Sequence, residues 1–179
     1  MTSGGLMMCV PMVGLLALAA VIDLRARRIP NWLTCSVAIG GFAQSWTWVA
    51  TVTPAQSILG LLTGFALTLL PFAIGAMGGG DVKLLAAIGA WLGPVPTLVV
   101  FAAEAVIGMV FVLVQAAWEG RLTSLLRNST VIATTYVNAG QVGLERAIDT
   151  GKTCSGSSRL PYAVPVLFAT VLTIHWLTR

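Results

Sequence analysis

Two carboxylates stand where charge is hard to keep: Asp23, in "DLRARRIPN", and Asp81, in "GGGDVK". Of the six acidic residues in the chain, these two lie at the ends of apolar runs with no long polar stretch around them. Charge near a membrane is costly, so an ionisable residue placed there marks a functional site. Two carboxylates a few ångströms apart resist double ionisation. One keeps its proton and acts as an acid, while the other acts as a base on a shared water. That water attacks a peptide carbonyl, and the protonated partner supports the developing oxyanion. The scheme needs no metal, no cofactor and no nucleophilic side chain. The blander alternative has Asp81 as a helix N-cap and Asp23 paired with Arg27.

Neighbouring residues extend the candidate site. Gly78, Gly79 and Gly80 lack side chains and permit positive φ, so an extended substrate backbone has room beside Asp81. The start of a helix there favours negative charge through its dipole. Lys83 either favours the ionised form of Asp81, contacts a substrate carbonyl, or anchors the interface. Asn31 either caps the second apolar run or orients Asp23. Gly78, Gly79, Gly80, Lys83 and Asn31 are therefore the substrate-binding candidates. The three cysteines (Cys9, Cys35, Cys154) form no CxxC pair, and the one histidine, His175, is distant in sequence, so no metal site is expected. Glu104 falls inside an apolar run, where it needs a partner or a neutralising proton. It lies nearer the other membrane face than Asp23.

The elements that must position these groups are membrane helices. The chain has 179 residues, 57% hydrophobic and 9% charged, with a mean hydropathy of +0.91. A soluble domain carries about 25% charged residues. Spanning a bilayer takes about 20 apolar residues as a helix. Apolar runs cover about Leu6–Ile22, Trp32–Ala50, Ser57–Ala76, Val82–Leu92, Pro96–Trp118 and Leu160–Leu177. The expected fold is all-α and polytopic, with about six crossings, the fourth being short. The chain reads as one transmembrane domain over residues 1–179. The first run has no basic residue before it and Arg25, Arg27 and Arg28 after it, the reverse of a secretory signal, so a retained first helix is expected.

Positive residues mark the cytoplasmic side. The arginines after the first run place the N-terminus outside. Alternation then puts Lys83 inside, together with the basic residues of the 119–160 segment. That segment reads as a cytoplasmic loop, either with amphipathic helices on the membrane surface or as a polar tether. The net charge of +4 resides in short loops, not in a basic patch interleaved with aromatics, so nucleic acid is not an expected partner. The lipid bilayer is.

"DLRARRIPN" (Asp23–Asn31), "GGGDVKLLAAIGAWLG" (Gly78–Gly93) and "LPYAVP" (Leu160–Pro165) together resemble the type IV prepilin peptidases, a family of membrane aspartic proteases. The likeness is greatest to the short members of tight-adherence (Flp) pilus systems. The resemblance implies catalytic aspartates at Asp23 and Asp81. It also implies removal of a short basic leader from pilin-like precursors at the cytoplasmic face, with the cut just after a glycine. Larger members carry paired CxxC motifs in an added region and methylate the new N-terminus. This chain starts at a span without those motifs, so methyl transfer is not expected. The family's final motif ends Pro-Tyr-Gly-Pro, whereas here it is Pro161, Tyr162, Ala163, Val164, Pro165. This stretch reads as a helix opening. Two rival readings remain: a small proton-coupled transporter using Asp23, Asp81 and Glu104 as relay groups, or a non-enzymatic scaffold of a pilus or secretion machine.

Overall fold

A computed structural model describes residues 3–26, 29–47, 50, 52–73, 77–118, 120 and 163–178. Six helices run through them: α1 (Ser3–Ala26), α2 (Asn31–Gln44), α3 (Pro54–Ala73), α4 (Gly79–Leu92), α5 (Pro94–Trp118) and α6 (Ala163–Thr178). The described residues hold helices and turns and no strand, the all-α class expected. Arg27, Arg28, Pro161, Tyr162 and, apart from Gly120, the 119–160 segment lie outside the described residues.

Each helix coincides with one apolar run, with shifted boundaries. α1 continues to Ala26, so Asp23 lies inside its last turn. α2 stops at Gln44, short of Ala50. There the Ser45 and Thr47 hydroxyls donate back to the Phe42 and Gln44 carbonyls at 2.6 and 2.7 Å, drawing the chain out of the helix. α5 begins at Pro94, directly after Gly93. α1, α3 and α5 contain segments long and apolar enough to cross a membrane: Cys9–Ala26, Pro54–Ala73 and Pro94–Gln115. α2 and α4 have 14 residues each and rise only about 21 Å, less than a hydrocarbon layer of about 30 Å.

α4 is the axis of the bundle. Val82 and every residue from Leu84 to Leu92 are buried, with α2, α3 and α5 packed around them. α6 packs against α1 and α5. Small residues make the central packing possible. A Cβ on Gly60 of α3 would run into the Gly89 carbonyl of α4, and one on Gly89 into the Gly60 carbonyl. A Cβ on Gly64 would lie 2.6 Å from the Leu85 carbonyl oxygen. The two backbones touch, which is how helices associate when lipid competes for their apolar side chains. On the other flank the Trp91 indole fits over Gly40 and Gly41 and donates to the Val37 carbonyl at 2.6 Å.

The last carbonyls of α4 are buried in this packing and must find donors. Ser57 Oγ donates to the Ala90 carbonyl at 2.8 Å, and Gln44 Nε2 to the Trp91 carbonyl at 2.9 Å. Gly93 then turns the chain with φ +82°, a backbone region that glycine enters without strain. Pro94 starts α5 at once.

Polarity is arranged inside out. Leu59, Leu62, Phe65 and Leu69 of α3 and Val106, Met109 and Val110 of α5 are exposed, while Ser57, Thr68, Thr97, Thr170 and Thr173 are buried. The buried threonine hydroxyls donate to carbonyls four residues back, as Thr68 does to Gly64 at 2.8 Å. Such back-bonding satisfies polar groups where no water is present. The outward apolar faces suit lipid.

Candidate active site

Asp81 is placed by the way α4 begins. The Gly78 carbonyl accepts from the Asp81 and Val82 amides at 3.1 and 3.3 Å. Asp81 Oδ2 reaches back to accept the Gly78 N–H at 3.2 Å. Gly78 is therefore the N-cap, and Asp81, on the first turn, closes the reciprocal half of a capping box. Reading Asp81 itself as the N-cap is corrected accordingly. Gly78 has φ −78° and ψ 150°; among the described residues only Gly93 and Gly120 have positive φ. The triplet's contribution is thus space. A Cβ on Gly80 would come within 3.2 Å of Ile29, just beyond α1, and one on Gly78 within 3.0 Å of Asp81 Oδ2. Gly78 and Gly79 are exposed and leave one flank of Asp81 uncovered.

Asp23 is buried, 6% exposed, in the last turn of α1. Its Oδ2 accepts the backbone N–H of Ala163, the first residue of α6, at 3.1 Å. The first amides of a helix have no partner within it, so Asp23 serves as an acceptor for α6. Asp81 lies just ahead of the apolar segment Val82–Leu92. Burial first, and then the charge of Asp23, push its carboxyl up to about 7, against the Gly78 hydrogen bond, which pulls it down. Ile29, just beyond α1, packs beside Gly80, just before Asp81, so the end of α1 and the start of α4 lie at the same end of the bundle.

Asn31 and Lys83 meet each other. Lys83 Nζ donates to Asn31 Oδ1 at 3.0 Å. Asn31 is the first residue of α2 behind the N-cap Pro30, so it does not cap that helix. The contact ties the start of α2 to the first turn of α4, and both side chains are exposed. Glu104, 1% exposed, is buried in α5. His175 lies in the last turn of α6, far along that helix from Ala163. Among the described residues no cluster of His, Cys, Asp and Glu has the makings of a metal site. Sequence reading singled out "LPYAVP" as a helix opening, but nothing in it pointed from Ala163 to Asp23.

The family model described as "Type IV leader peptidase family" matches residues 10–113, a stretch from α1 to α5 that includes both aspartates. The chain belongs to the type IV leader peptidase family. Among curated type IV leader peptidase relatives, a prepilin leader peptidase/N-methyltransferase of Pectobacterium carotovorum subsp. carotovorum is 37% identical over 120 residues, covering 61% of this chain and 40% of the relative. One of the same description from Burkholderia pseudomallei is 33% identical over 119 residues, covering 60% and 36%. A type 4 prepilin-like proteins leader peptide-processing enzyme of Escherichia coli is 36% identical over 83 residues, covering 42% and 31%. The chain thus spans about a third of the length of the curated relatives it matches. No solved structure matches it.

Proposed function

We propose that this leader peptidase family member is a membrane aspartic endopeptidase. It removes the short basic leader from type IV pilin-like precursors, cutting after a glycine at the cytoplasmic face. The observation that supports this reading is that Asp23, in the last turn of α1, and Asp81, in the first turn of α4, share one end of the bundle, where Ile29 beyond α1 packs beside Gly80.

Asp81 holds the proton and Asp23 is the base. The Asp23 carboxylate takes a proton from water while the water oxygen adds to the peptide carbonyl. Asp81 gives its proton to the carbonyl oxygen, forming a tetrahedral diol. Asp23 then passes its proton to the leaving nitrogen, the C–N bond breaks, and Asp81 recovers a proton from the collapsing diol. The open flank at Gly78 and Gly79 admits an extended substrate, and Lys83 and Asn31 offer it polar partners at the rim. Arg25, exposed on the last turn of α1, shares this end with Lys83, which supports a cytoplasmic site by the positive-inside rule. The names of the Pectobacterium and Burkholderia relatives also include methyl transfer; the carboxyl pair accounts for peptide cleavage alone.

The test is co-expression of wild type, Asp23→Asn and Asp81→Asn with candidate pilin precursors, followed on gels by the shift on leader removal. Each Asn variant is expected to insert normally and lose roughly 10³-fold or more in processing rate. Wild-type processing by either variant overturns the proposal.

A further inference from the structure

Asp23 sits at the junction of two helices that are far apart in sequence. It belongs to α1, yet the group that holds its Oδ2 is the Ala163 N–H at the start of α6, at 3.1 Å. Both residues are buried, at 6% and 1% exposure, so water does not readily replace this bond. The amide is free to give it: as the first residue of α6, Ala163 has no acceptor in its own helix. An N–H directed at one carboxylate oxygen restricts rotation of the group and engages only that oxygen.

We infer that the backbone N–H of Ala163 is a positioning group for the peptidase reaction: it orients the Asp23 carboxylate and so makes the start of α6 part of the working site. This rests on the two-aspartate reading above. It goes beyond that reading by assigning a function to a main-chain group on a helix outside the segment matched by the family model, which ends at residue 113. The side chain of residue 163 takes no part; the donor is the amide, which any residue but proline supplies.

Proline supplies the test. At the first position of a helix it costs little, because the amide it lacks makes no helical bond there. Ala163→Pro therefore removes the donor to Asp23 and leaves α6 able to form. Val164→Pro adds the same ring one residue later, where no bond to Asp23 is lost, and controls for bulk; Pro165 already shows that this turn accepts a ring. Leader removal is measured in membranes across pH for both variants, wild type and Asp81→Asn. Ala163→Pro is expected to lower kcat roughly 10- to 100-fold, the loss of a hydrogen bond to a charged group. KM stays within about 3-fold, and the pH–rate profile moves along the pH axis. Val164→Pro is expected to keep the wild-type profile. A merely structural effect lowers the amount of active protein without moving the profile.

Hydrogen exchange of the Ala163 amide serves as a second measurement should Ala163→Pro fail to assemble. In Asp23→Ala it is expected to accelerate at least about tenfold relative to wild type. Unchanged kinetics in Ala163→Pro, or unchanged exchange in Asp23→Ala, overturns the positioning role while the peptidase reading stands. Full processing by Asp81→Asn overturns the peptidase reading itself.

Discussion

In the proposed mechanism Asp81 is the proton holder, because burial and the charge of Asp23 raise its carboxyl. Each carboxyl accepts one main-chain N–H, Asp23 from Ala163 and Asp81 from Gly78. Asp81 is pushed up to about 7 by burial and by Asp23. A raised carboxyl favours folding with the proton on. That contribution is complete below the ordinary carboxylate range and fades as pH rises through about 7. Processing is accordingly expected to fall above pH about 7 as Asp81 loses its proton, with the limb belonging to the pair as a unit. A rate that climbs steadily to pH 9 contradicts this. Asp23→Asn removes the second cause of the shift. The Asp81 carbonyl stretch in infrared difference spectra is then expected to titrate at lower pH than in wild type. Lys83 and Asn31 meet in an exposed contact, the kind that contributes little to folding. Lys83→Met is expected to leave the melting temperature within about 2 °C while raising KM several-fold. A melting loss without a KM change assigns the pair to structure alone.

Among the helices, α4 decides whether the site exists, because it carries Asp81 and is surrounded by the others. Its fit depends on backbone contact at Gly60, Gly64 and Gly89 and on side-chain donors at its far end, Ser57 and Gln44. Gly60→Ala and Gly89→Ala are each expected to cost about 1–3 kcal/mol, since neither backbone has room to retreat. Gly14→Ala, where a Cβ meets nothing within 4 Å, is expected to be neutral. Ser57→Ala and Gln44→Leu strand a buried carbonyl apiece, at about 1–3 kcal/mol. Thermal unfolding in detergent ranks all five. Equal melting points for Gly60→Ala and Gly14→Ala would contradict the close packing. Gly60 with Gly64 and Gly89 with Gly93 stand four apart, a small-residue spacing that lets helices approach closely. Which glycine meets which is not legible in that spacing, because that depends on the register between two helices. Gly60 faces both Gly89 and Gly93, and Gly93 also makes the turn into α5.

In the membrane, the proposed arrangement has the N-terminus outside and the acidic pair inside. A membrane-impermeant thiol reagent is expected to label Val95→Cys in intact cells and Gly120→Cys only after permeabilisation; both positions are exposed. The reverse pattern inverts the topology and moves the site to the outer face. Residue types and their spacing were enough to establish a membrane-embedded all-α chain, its apolar runs, and Asp23 and Asp81 as the carboxyls to watch. Hydrophobic length and charge are local properties that a linear chain displays in full. Helix ends were legible only to within a few residues, since Ser45 and Thr47 stop α2 through hydroxyl bonds that composition does not announce. Other facts came from folding alone: Lys83 reaches Asn31, Ile29 fills the space beside Gly80, and α6 hands its first amide to Asp23. Each joins residues from different helices, and such contacts depend on the distances and rotations between helices, which are settled only when the helices pack.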